Sequence, residues 1–330
     1  MTLNHCRIVC LLSVTSALAA ETPKADPAVP PADPSDALYQ AGKDLFESFA
    51  PPEIKEQYEF PDKTQWDEFA IRLQRALESN DLEALAQYEP EARAVLTTLR
   101  AVPGNEEYVD WLEERLDYID AANETLRQPA LPPAPTPPPT TPPPIPPTPA
   151  QPESPPQFIP LYDLWLQRMR TRPLPAGATR LIPLLSAVFD AAGIPPELVW
   201  LAEVESTLNP AARSPAGARG LFQLMPATAK ELGLSTFLPD ERTDPKRSAG
   251  AAAQLLRNLH KKFGDWPLAI AAYNAGAGRV QRTLDRQNAT TFAQIASVLP
   301  VETRMYVPKV LAMLQVRAGM PLAGLAPPRT

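Results

Sequence analysis

The sequence predicts an all-α protein made of two helical units joined by a proline-rich segment. Apolar side chains recur at the spacing of amphipathic helices, helix-start signals such as Asp244-Pro245 precede apolar runs, and the alternating pattern of strands is almost absent. Proline accounts for 43 of the 330 residues and is concentrated between the two units. A chain of this length is enough for about two domains.

Residues 1–20 are predicted to be a signal peptide. Arg7 supplies a positive charge, residues 8–18 form a short apolar stretch, and an Ala-x-Ala cleavage site ends at Ala19. The apolar stretch is shorter than the ~20 residues that a membrane-spanning helix needs. We therefore expect an exported protein of the periplasm or cell envelope. An N-terminal anchor that is not cleaved is the alternative.

Residues 21–35 are polar and rich in proline, which predicts a flexible segment. Residues 36–127 predict an acidic helical domain, because apolar side chains recur at helical spacing in two stretches. The residues that carry this pattern are Trp66, Phe69, Ala70, Leu73 and Leu77, then Tyr108, Trp111, Leu112, Leu116 and Ile119. We find no catalytic constellation in this unit. Its role stays open, and binding of a cell-envelope protein partner is one candidate.

Residues 128–157 are mostly proline and predict a linker. Such a stretch favours polyproline II, a semi-rigid spacer of about 3.1 Å per residue, or roughly 80 Å when fully extended. A ligand for a proline-binding domain is the alternative.

Residues 158–320 predict a second helical unit, followed by a tail at 321–330. Asp244 and Asp265 have the positions of helix N-caps, and Pro308 predicts a kink. The helices expected here are Leu181 to Ala192, Glu197 to Ser206, Pro245 to about Phe263, Trp266 to about Gly276 and Glu302 to Arg317.

The two predicted helical units also differ in net charge. Up to Gln157 there are 11 basic and 26 acidic residues, and from Phe158 onward there are 20 basic and 12 acidic residues. A basic unit suits a polyanionic partner, and the predicted export argues against nucleic acid. Scattered solvated charge is the alternative.

The helix expected to end at Ser206 carries an acid, Glu205, on its apolar face. At 100° per residue, Glu205 shares that face with Leu201 and Ala202, whereas Glu203 points away. Burial disfavours the charged form of a carboxyl and raises its pKa, as a general acid near neutral pH requires. A buried acid with a purely structural role is the alternative.

Four short motifs follow one another from Glu205 onward. They read E-S-x-x-N-P from Glu205, S-P-A-G-A-x-G-L-F-Q-L-M-P from Ser214, A-A-Y-N-A-G from Ala271 and L-P-x-E-T-R-x-Y-V-P from Leu299. Together they resemble the motifs of the soluble lytic transglycosylase domain, and most closely those of the membrane-bound lytic murein transglycosylase D-like branch. The resemblance covers roughly residues 181–318, and four ordered motifs are highly specific.

This resemblance implies a goose-lysozyme-like helical fold with a sugar-binding groove. It implies a lyase that cuts peptidoglycan glycan strands at the β-1,4 bond between N-acetylmuramic acid and N-acetylglucosamine. Glu205 would be the general acid and then the base, leaving a 1,6-anhydromuramic end. Because the attacking hydroxyl belongs to the substrate, its high effective concentration offsets the lack of a second carboxylate. We find no metal or nucleotide motif and expect no cofactor.

The resemblance also assigns substrate binding to Ser214, Gln223, Met225, Tyr273, Asn274 and Glu302. Ser214 would bind the N-acetyl group, with a turn cap as the alternative. Tyr273 would hold the catalytic carboxyl or the sugar, and Asn274 would bind sugar or brace the loop. Glu302 would contact substrate, or else only stabilise the start of its helix.

The loop of the second motif would line the groove. Gln223 and Met225 would lie along it, with a core position as the alternative for Met225. Gly217 and Gly220 would let the backbone approach the sugars, with ordinary turn glycines as the alternative. Phe222 stands where Met or Trp is common in the family, which leaves the shape of one subsite open.

Two competing functions stay open. A hydrolytic muramidase on the same scaffold would need a second acid near Glu205, and none is evident in the sequence. A peptidoglycan-binding or scaffold protein without catalysis is disfavoured by Glu205 and Tyr273.

Overall fold

The computed structural model describes residues 63–100, 106–127, 158–214 and 216–329. Over these residues every named element is a helix, and β structure is limited to three isolated bridges. The all-α prediction is therefore confirmed. The predicted signal peptide, the 21–35 segment and the 128–157 linker lie outside the described residues, so the predicted domain boundaries stay predictions.

The helices follow one another with short connections. The α-helices are α1 Lys63–Glu78, α2 Leu82–Ala86, α3 Glu89–Arg100, α4 Glu106–Arg127, α5 Tyr162–Thr171, α6 Ala178–Ala191, α7 Leu201–Ser206, α8 Pro226–Glu231, α9 Pro245–Phe263, α10 Trp266–Ala275, α11 Ala277–Gln287, α12 Phe292–Ile295 and α13 Val301–Ala318. The 3₁₀ helices are Pro196–Trp200, Glu241–Thr243, Ala296–Val298 and Leu322–Gly324. In the described ranges, none of the helices has both the length and the apolar character required to cross a membrane.

Helices α1 to α4 form a small bundle, called the N-terminal bundle below. The long helix α4 packs against α2 and α3, and α1 packs against α2. The bundle buries the apolar positions that recur at helical spacing: Phe69, Leu73 and Leu77 from α1, and Leu112, Leu116 and Ile119 from α4. The predicted helical periodicity is thus confirmed for these positions.

Helix α13 is the central helix of the C-terminal unit. It packs against α5, α7, α10 and the 3₁₀ helix Pro196–Trp200. Every side chain from Met305 to Leu314 is buried, so this stretch has no solvent face. The helix continues through Pro308, which removes one backbone donor without ending it.

The helix starts predicted at two aspartates are confirmed. Asp244 accepts a hydrogen bond from the Arg247 backbone N–H at 2.8 Å and caps α9. Asp265 accepts one from the Leu268 backbone N–H at 3.2 Å and caps α10. Such caps satisfy backbone donors that a helix start leaves unpaired.

The predicted helix from Glu197 to Ser206 is wrong over its first half. Residues Pro196–Trp200 form a 3₁₀ helix, and the α-helix begins only at Leu201. The first turn of the 3₁₀ helix is closed by a hydrogen bond of 3.2 Å from the Leu198 N–H to the Pro195 carbonyl, three residues earlier. Two successive prolines supply no N–H donors, which favours this tighter turn at the entry.

The N-terminal bundle packs directly on the C-terminal unit. Helix α1 contacts α13, and α4 contacts α5. The buried apolar residues of both units form one continuous cluster. The interface also contains an ion pair between Lys309 Nζ and Asp117 Oδ2 at 3.1 Å, in which the lysine side chain is only 1% exposed. The catalytic unit predicted from the sequence is therefore in contact with the bundle that precedes it.

Candidate active site

Glu205 lies near the end of α7, a helix of six residues. The Ser206 hydroxyl donates a hydrogen bond of 3.0 Å to the Leu221 carbonyl oxygen. This bond connects the end of α7 to the second motif. Thr207 and Leu208 then adopt left-handed backbone conformations, with φ of 51° and 61°. Two successive non-glycine residues in this region are costly and are typical of functional sites.

The carboxyl group of Glu205 accepts a hydrogen bond at Oε1 from the Tyr306 hydroxyl. Burial raises the pKa of Glu205 to about 8, because the charged form loses its hydration. The hydrogen bond from Tyr306 lowers this pKa, while the carboxylates of Glu114 and Glu302 raise it. Glu205 is therefore largely protonated at neutral pH and can donate a proton there.

Tyr306 was not among the site residues predicted from the sequence. It lies on α13 and is 3% exposed. Burial raises its pKa well above the usual value, and the charge of the neighbouring Glu205 adds to this effect. The hydroxyl thus stays protonated and keeps donating to Glu205. The signal that could have identified it is its place in the fourth motif, one helical turn after Glu302.

Tyr273 donates its hydrogen bond elsewhere. Its hydroxyl binds the backbone carbonyl of Phe222 at 2.7 Å, whereas we expected it to hold the catalytic carboxyl or the sugar. It still lies close enough to Glu205 to feel its charge. Burial of the Tyr273 hydroxyl raises the pKa of Tyr273 most, and the charge of Glu205 raises it further. Asn274 accepts a hydrogen bond at Oδ1 from Thr303 Oγ1 at 2.7 Å, so it braces α10 against α13.

The side chains of the second motif bind mainly the backbone of their own loop. Ser214 Oγ accepts from the Ala218 N–H at 3.1 Å, which is the turn cap weighed as its alternative role. Gln223 has φ of 43° and donates from Nε2 to the Gly220 carbonyl at 2.9 Å. Met225 is 38% exposed just before α8, which makes it available to a ligand.

Arg242 braces this loop from beneath, although no sequence motif includes it. Its guanidinium is 4% exposed and donates to the carbonyls of Gly217 at 2.8 Å and Leu224 at 3.0 Å. It also pairs with both carboxylate oxygens of Asp240, at 2.9 and 2.7 Å. This paired hydrogen bonding lowers the pKa of Asp240 and fixes the guanidinium.

Phe222 belongs to the core and not to the groove. Its ring is fully buried and stacks on Phe189 with the ring centroids 5.5 Å apart. Its departure from the family pattern therefore changes packing beneath the loop, while its carbonyl anchors Tyr273.

The other acids near α7 differ in their surroundings. Glu203 is fully buried and forms an ion pair with Arg317 at 2.6 Å, away from Glu205. Glu302 lies in the first turn of α13 and Glu114 on α4, and both are close enough for their charge to act on Glu205. The expectation of no further acid near Glu205 is corrected, because helices distant in sequence supply two.

With this geometry described, the chain can be compared with known proteins. Residues 190–295 match the family model described as "Transglycosylase SLT domain". The membrane-bound lytic murein transglycosylase D of Escherichia coli K12 is 40% identical over 143 residues, which cover 42% of this chain and 31% of that protein. The soluble lytic murein transglycosylase of Salmonella typhimurium is 38% identical over 122 residues, 34% of this chain and 19% of that protein.

Among solved structures, the 70 kDa soluble lytic transglycosylase of Escherichia coli aligns with a TM-score of 0.37 and 17% identity, over 80% of this chain and 55% of that chain. This chain spans less than a third of the length of the curated relatives named above. The match of residues 190–295 to the transglycosylase SLT domain and the similarity to these relatives confirm the resemblance to lytic transglycosylases inferred from the four motifs.

Proposed function

We propose that this chain is a lytic transglycosylase that cuts peptidoglycan glycan strands between N-acetylmuramic acid and N-acetylglucosamine. The observation that carries the proposal is the Glu205 carboxyl, which accepts a hydrogen bond from Tyr306 and whose pKa burial raises, within the residues that match the transglycosylase SLT domain. The names of the relatives, which are murein transglycosylases, support the same substrate. The predicted leader supports export to the periplasm or cell envelope.

In the proposed reaction, Glu205 first acts as the general acid. Its proton passes to the glycosidic oxygen as the bond from C1 of N-acetylmuramic acid to that oxygen breaks. Glu205, now a carboxylate, takes the proton of the C6 hydroxyl of the same sugar. The C6 oxygen then forms a bond to C1, and the product ends in a 1,6-anhydro ring. Glu205 ends the cycle protonated, so the reaction needs no cofactor and no water.

The surroundings of Glu205 suit both halves of this cycle. Burial favours the protonated form needed at the start, and the Tyr306 hydroxyl stabilises the carboxylate that forms midway. The C6 hydroxyl is part of the bound sugar, so its attack is intramolecular and needs no activated water. The groove residues Ser214, Gln223, Met225, Tyr273, Asn274 and Glu302 are proposed to line the sugar site or to support it.

The two carboxylates near Glu205 favour hydrolysis as a second candidate. A hydrolytic muramidase needs an acid and a second carboxylate that activates water or attacks C1. Glu302 and Glu114 act electrostatically on Glu205 and are candidates for that second group.

Mass spectrometry of digested sacculi separates the candidates. A lytic transglycosylase releases muropeptides whose muramic ends lack one water, whereas a muramidase releases ordinary reducing ends. The proposal is contradicted by reducing ends alone. Binding to sacculi without release of any fragment would favour the protein class that only binds or scaffolds peptidoglycan.

A further inference from the structure

We infer that helix α4 of the N-terminal bundle is a wall of the active site, and that Glu114, on the face of α4 that packs against the catalytic unit, is a positioning residue for Glu205. The inference rests on the proposed function of Glu205 as a general acid. Glu114 lies outside residues 190–295, which match the transglycosylase SLT domain, so the comparison assigns it no role.

The N-terminal bundle contacts α13 on both sides of the tyrosine that holds Glu205. At the start of α13, the Val301 N–H donates to the Ser79 carbonyl, which follows α1, at 2.6 Å. Two turns later, Lys309 Nζ lies 3.1 Å from Asp117 Oδ2 of α4. Tyr306 lies between these contacts, so the bundle flanks the segment of α13 that positions the catalytic carboxyl.

Aromatic packing fixes the face of α4 that meets the catalytic unit. Tyr118 packs edge-on against Trp165 of α5, with the ring centroids 5.8 Å apart. The Lys309 ammonium lies 4.7 Å from the centre of the Tyr118 ring and 5.2 Å from that of Trp165. Glu114 precedes Tyr118 by one helical turn and therefore shares this face.

Glu114 is held in place on this face. Its Oε2 accepts a hydrogen bond from Arg115 Nη1 at 3.1 Å, and its side chain is 20% exposed. The Arg115 guanidinium in turn lies 4.6 Å from the centre of the Trp111 ring. These contacts restrain the Glu114 carboxylate on the face of α4 that packs against the catalytic unit.

The charged and titratable groups that face Glu205 come from three helices. They are Glu114, Arg115 and Tyr118 of α4, Tyr273 of α10, and Glu302 and Tyr306 of α13. The two carboxylates favour the protonated form of Glu205, and Arg115 and the Tyr306 hydrogen bond favour the charged form. Burial raises the pKa of Glu114 itself to about 7, so it carries its charge where Glu205 begins to lose its proton.

The pH dependence of glycan cleavage tests this inference. In the full-length protein, Glu114→Gln removes one negative charge and releases Arg115, and both changes lower the pKa of Glu205. The alkaline limb of the activity profile is expected to move to lower pH by about half a unit or more, as for two like charges several ångströms apart at an effective dielectric constant of ~20. Glu114→Asp keeps the charge and is expected to restore most of the limb.

Glu113→Gln is the matched control. Glu113 is the neighbouring residue, but its side chain is 44% exposed and pairs with Arg100, so the alkaline limb should stay in place. Equal shifts in Glu113→Gln and Glu114→Gln, or an unmoved limb in Glu114→Gln, would overturn the inference. Loss of cleavage at every pH in folded Glu114→Gln would also overturn it, because Glu114 would then take part in the chemistry directly.

The failure of this inference differs from the failure of the proposed function. Cleavage that depends on Glu205 but has a limb unaffected by Glu114→Gln refutes the role of α4 alone. Absence of anhydro ends from the wild-type digest refutes the proposed function, and the inference with it. Thermal melts of each variant separate an effect on protonation from a loss of fold.

Discussion

Glu205 is subject to opposing influences on its pKa, of which burial is the largest. Burial and two neighbouring carboxylates favour its neutral form, whereas the Tyr306 hydroxyl and Arg115 favour its charged form. A group that must first donate and then accept a proton works best when its pKa lies near the working pH. A pKa of about 8 lies close to neutral pH and leaves Glu205 mostly in the protonated form that donates first.

Replacing Glu205 by glutamine tests its assigned role. The amide keeps the size of the side chain but cannot protonate a leaving oxygen, so release of anhydro-muropeptides should fall by a factor on the order of 10²–10⁴ or more. Binding to sacculi should persist, because it depends on the groove. Both are measured on purified sacculi, by product release and by co-sedimentation.

The control for that variant has to be an exposed acid. Glu231 at the end of α8 is exposed, so Glu231→Gln should keep wild-type activity. Glu203 is unsuitable although it is closer in sequence, because its neutralisation would leave Arg317, 9% exposed, without its buried partner. Activity of Glu205→Gln above about a tenth of the wild-type level, an order of magnitude more than expected, would assign the acid elsewhere.

Removing the Tyr306 hydroxyl has the opposite effect to removing the charge of Glu114. In Tyr306→Phe the carboxylate of Glu205 loses its donor, so its pKa rises and the alkaline limb moves to higher pH. The maximal rate should fall by roughly ten- to a hundredfold, because the carboxylate formed midway loses a hydrogen bond worth about 1.5–3 kcal/mol. A pH profile of cleavage by the variant measures both. A limb that moves to lower pH would contradict the assigned hydrogen bond.

Sequence reasoning identified Glu205 as the candidate acid but did not identify the tyrosine that binds it. An acid on an apolar helix face is visible in the sequence, because helical spacing is a local property. Which tyrosine reaches that acid depends on the packing of α10 and α13, and Tyr273 and Tyr306 both lie within the family-like motifs. Only the folded structure distinguishes them, because the Tyr273 hydroxyl donates to the Phe222 carbonyl and the Tyr306 hydroxyl donates to Glu205.

At the scale of elements, the loop between α7 and α8 is held by its backbone and by Arg242. Gly220 has φ of 75°, and a Cβ atom there would lie 1.9 Å from the Arg242 carbonyl oxygen. No side chain fits in that space, so the glycine is needed for the loop to pass over the 3₁₀ helix Glu241–Thr243. Gly217 also has a positive φ, of 88°, but faces open space.

This difference predicts unequal costs for two alanine variants. Gly220→Ala should lower the free energy of unfolding by about 2 kcal/mol or more, because strain adds to a backbone clash, and should reduce cleavage. Gly217→Ala should cost about 1 kcal/mol, the strain of its backbone conformation alone. Denaturant unfolding of both variants measures the difference. Equal costs would show that the approach to Arg242 relaxes freely.

Helix boundaries in the C-terminal unit were largely predictable, for reasons that are local. Asp244, Asp265 and the glycine after Phe263 act within one turn of their own helix, so their effect can be read from the chain. The 3₁₀ helix at Pro196–Trp200 was missed because apolar spacing does not distinguish it from an α-helix over so few residues.

At the scale of the whole molecule, the contact between the N-terminal bundle and α13 could not be predicted. Asp117 and Lys309 are separated by nearly 200 residues, and neither has a local pattern that names its partner. The proline-rich composition between the units indicated a spacer and said nothing of their docking. Glu114 became a candidate only when the fold packed α4 against α5 and placed it beside Lys309 of α13.

The ion pair of Asp117 with Lys309 connects the bundle to the C-terminal unit and contributes to stability. Burial tends to raise the pKa of Asp117, but Lys309 and Arg172 outweigh burial and lower it to about 2. Because this pKa lies below the unfolded value of about 3.9, the group stabilises the fold by about 2 kcal/mol above pH 4, and loses that contribution as the pH falls towards 2.

Asp117→Asn should therefore lower the free energy of unfolding at pH 7 by about 3 kcal/mol, because it leaves the charge of the buried Lys309 without its partner. The variant should also lose the part of the acid dependence between pH 4 and pH 2 that Asp117 contributes. Asp285→Asn is the control, since Asp285 is exposed on α11 and should change stability by less than about 0.5 kcal/mol. Denaturant unfolding of the full-length protein at several pH values between 2 and 7 gives both quantities. If Asp117→Asn behaves like Asp285→Asn across that range, the pair with Lys309 does not hold the bundle to α13, and the position of the bundle must depend on its apolar packing and on the remaining polar contacts, such as that between Val301 and Ser79.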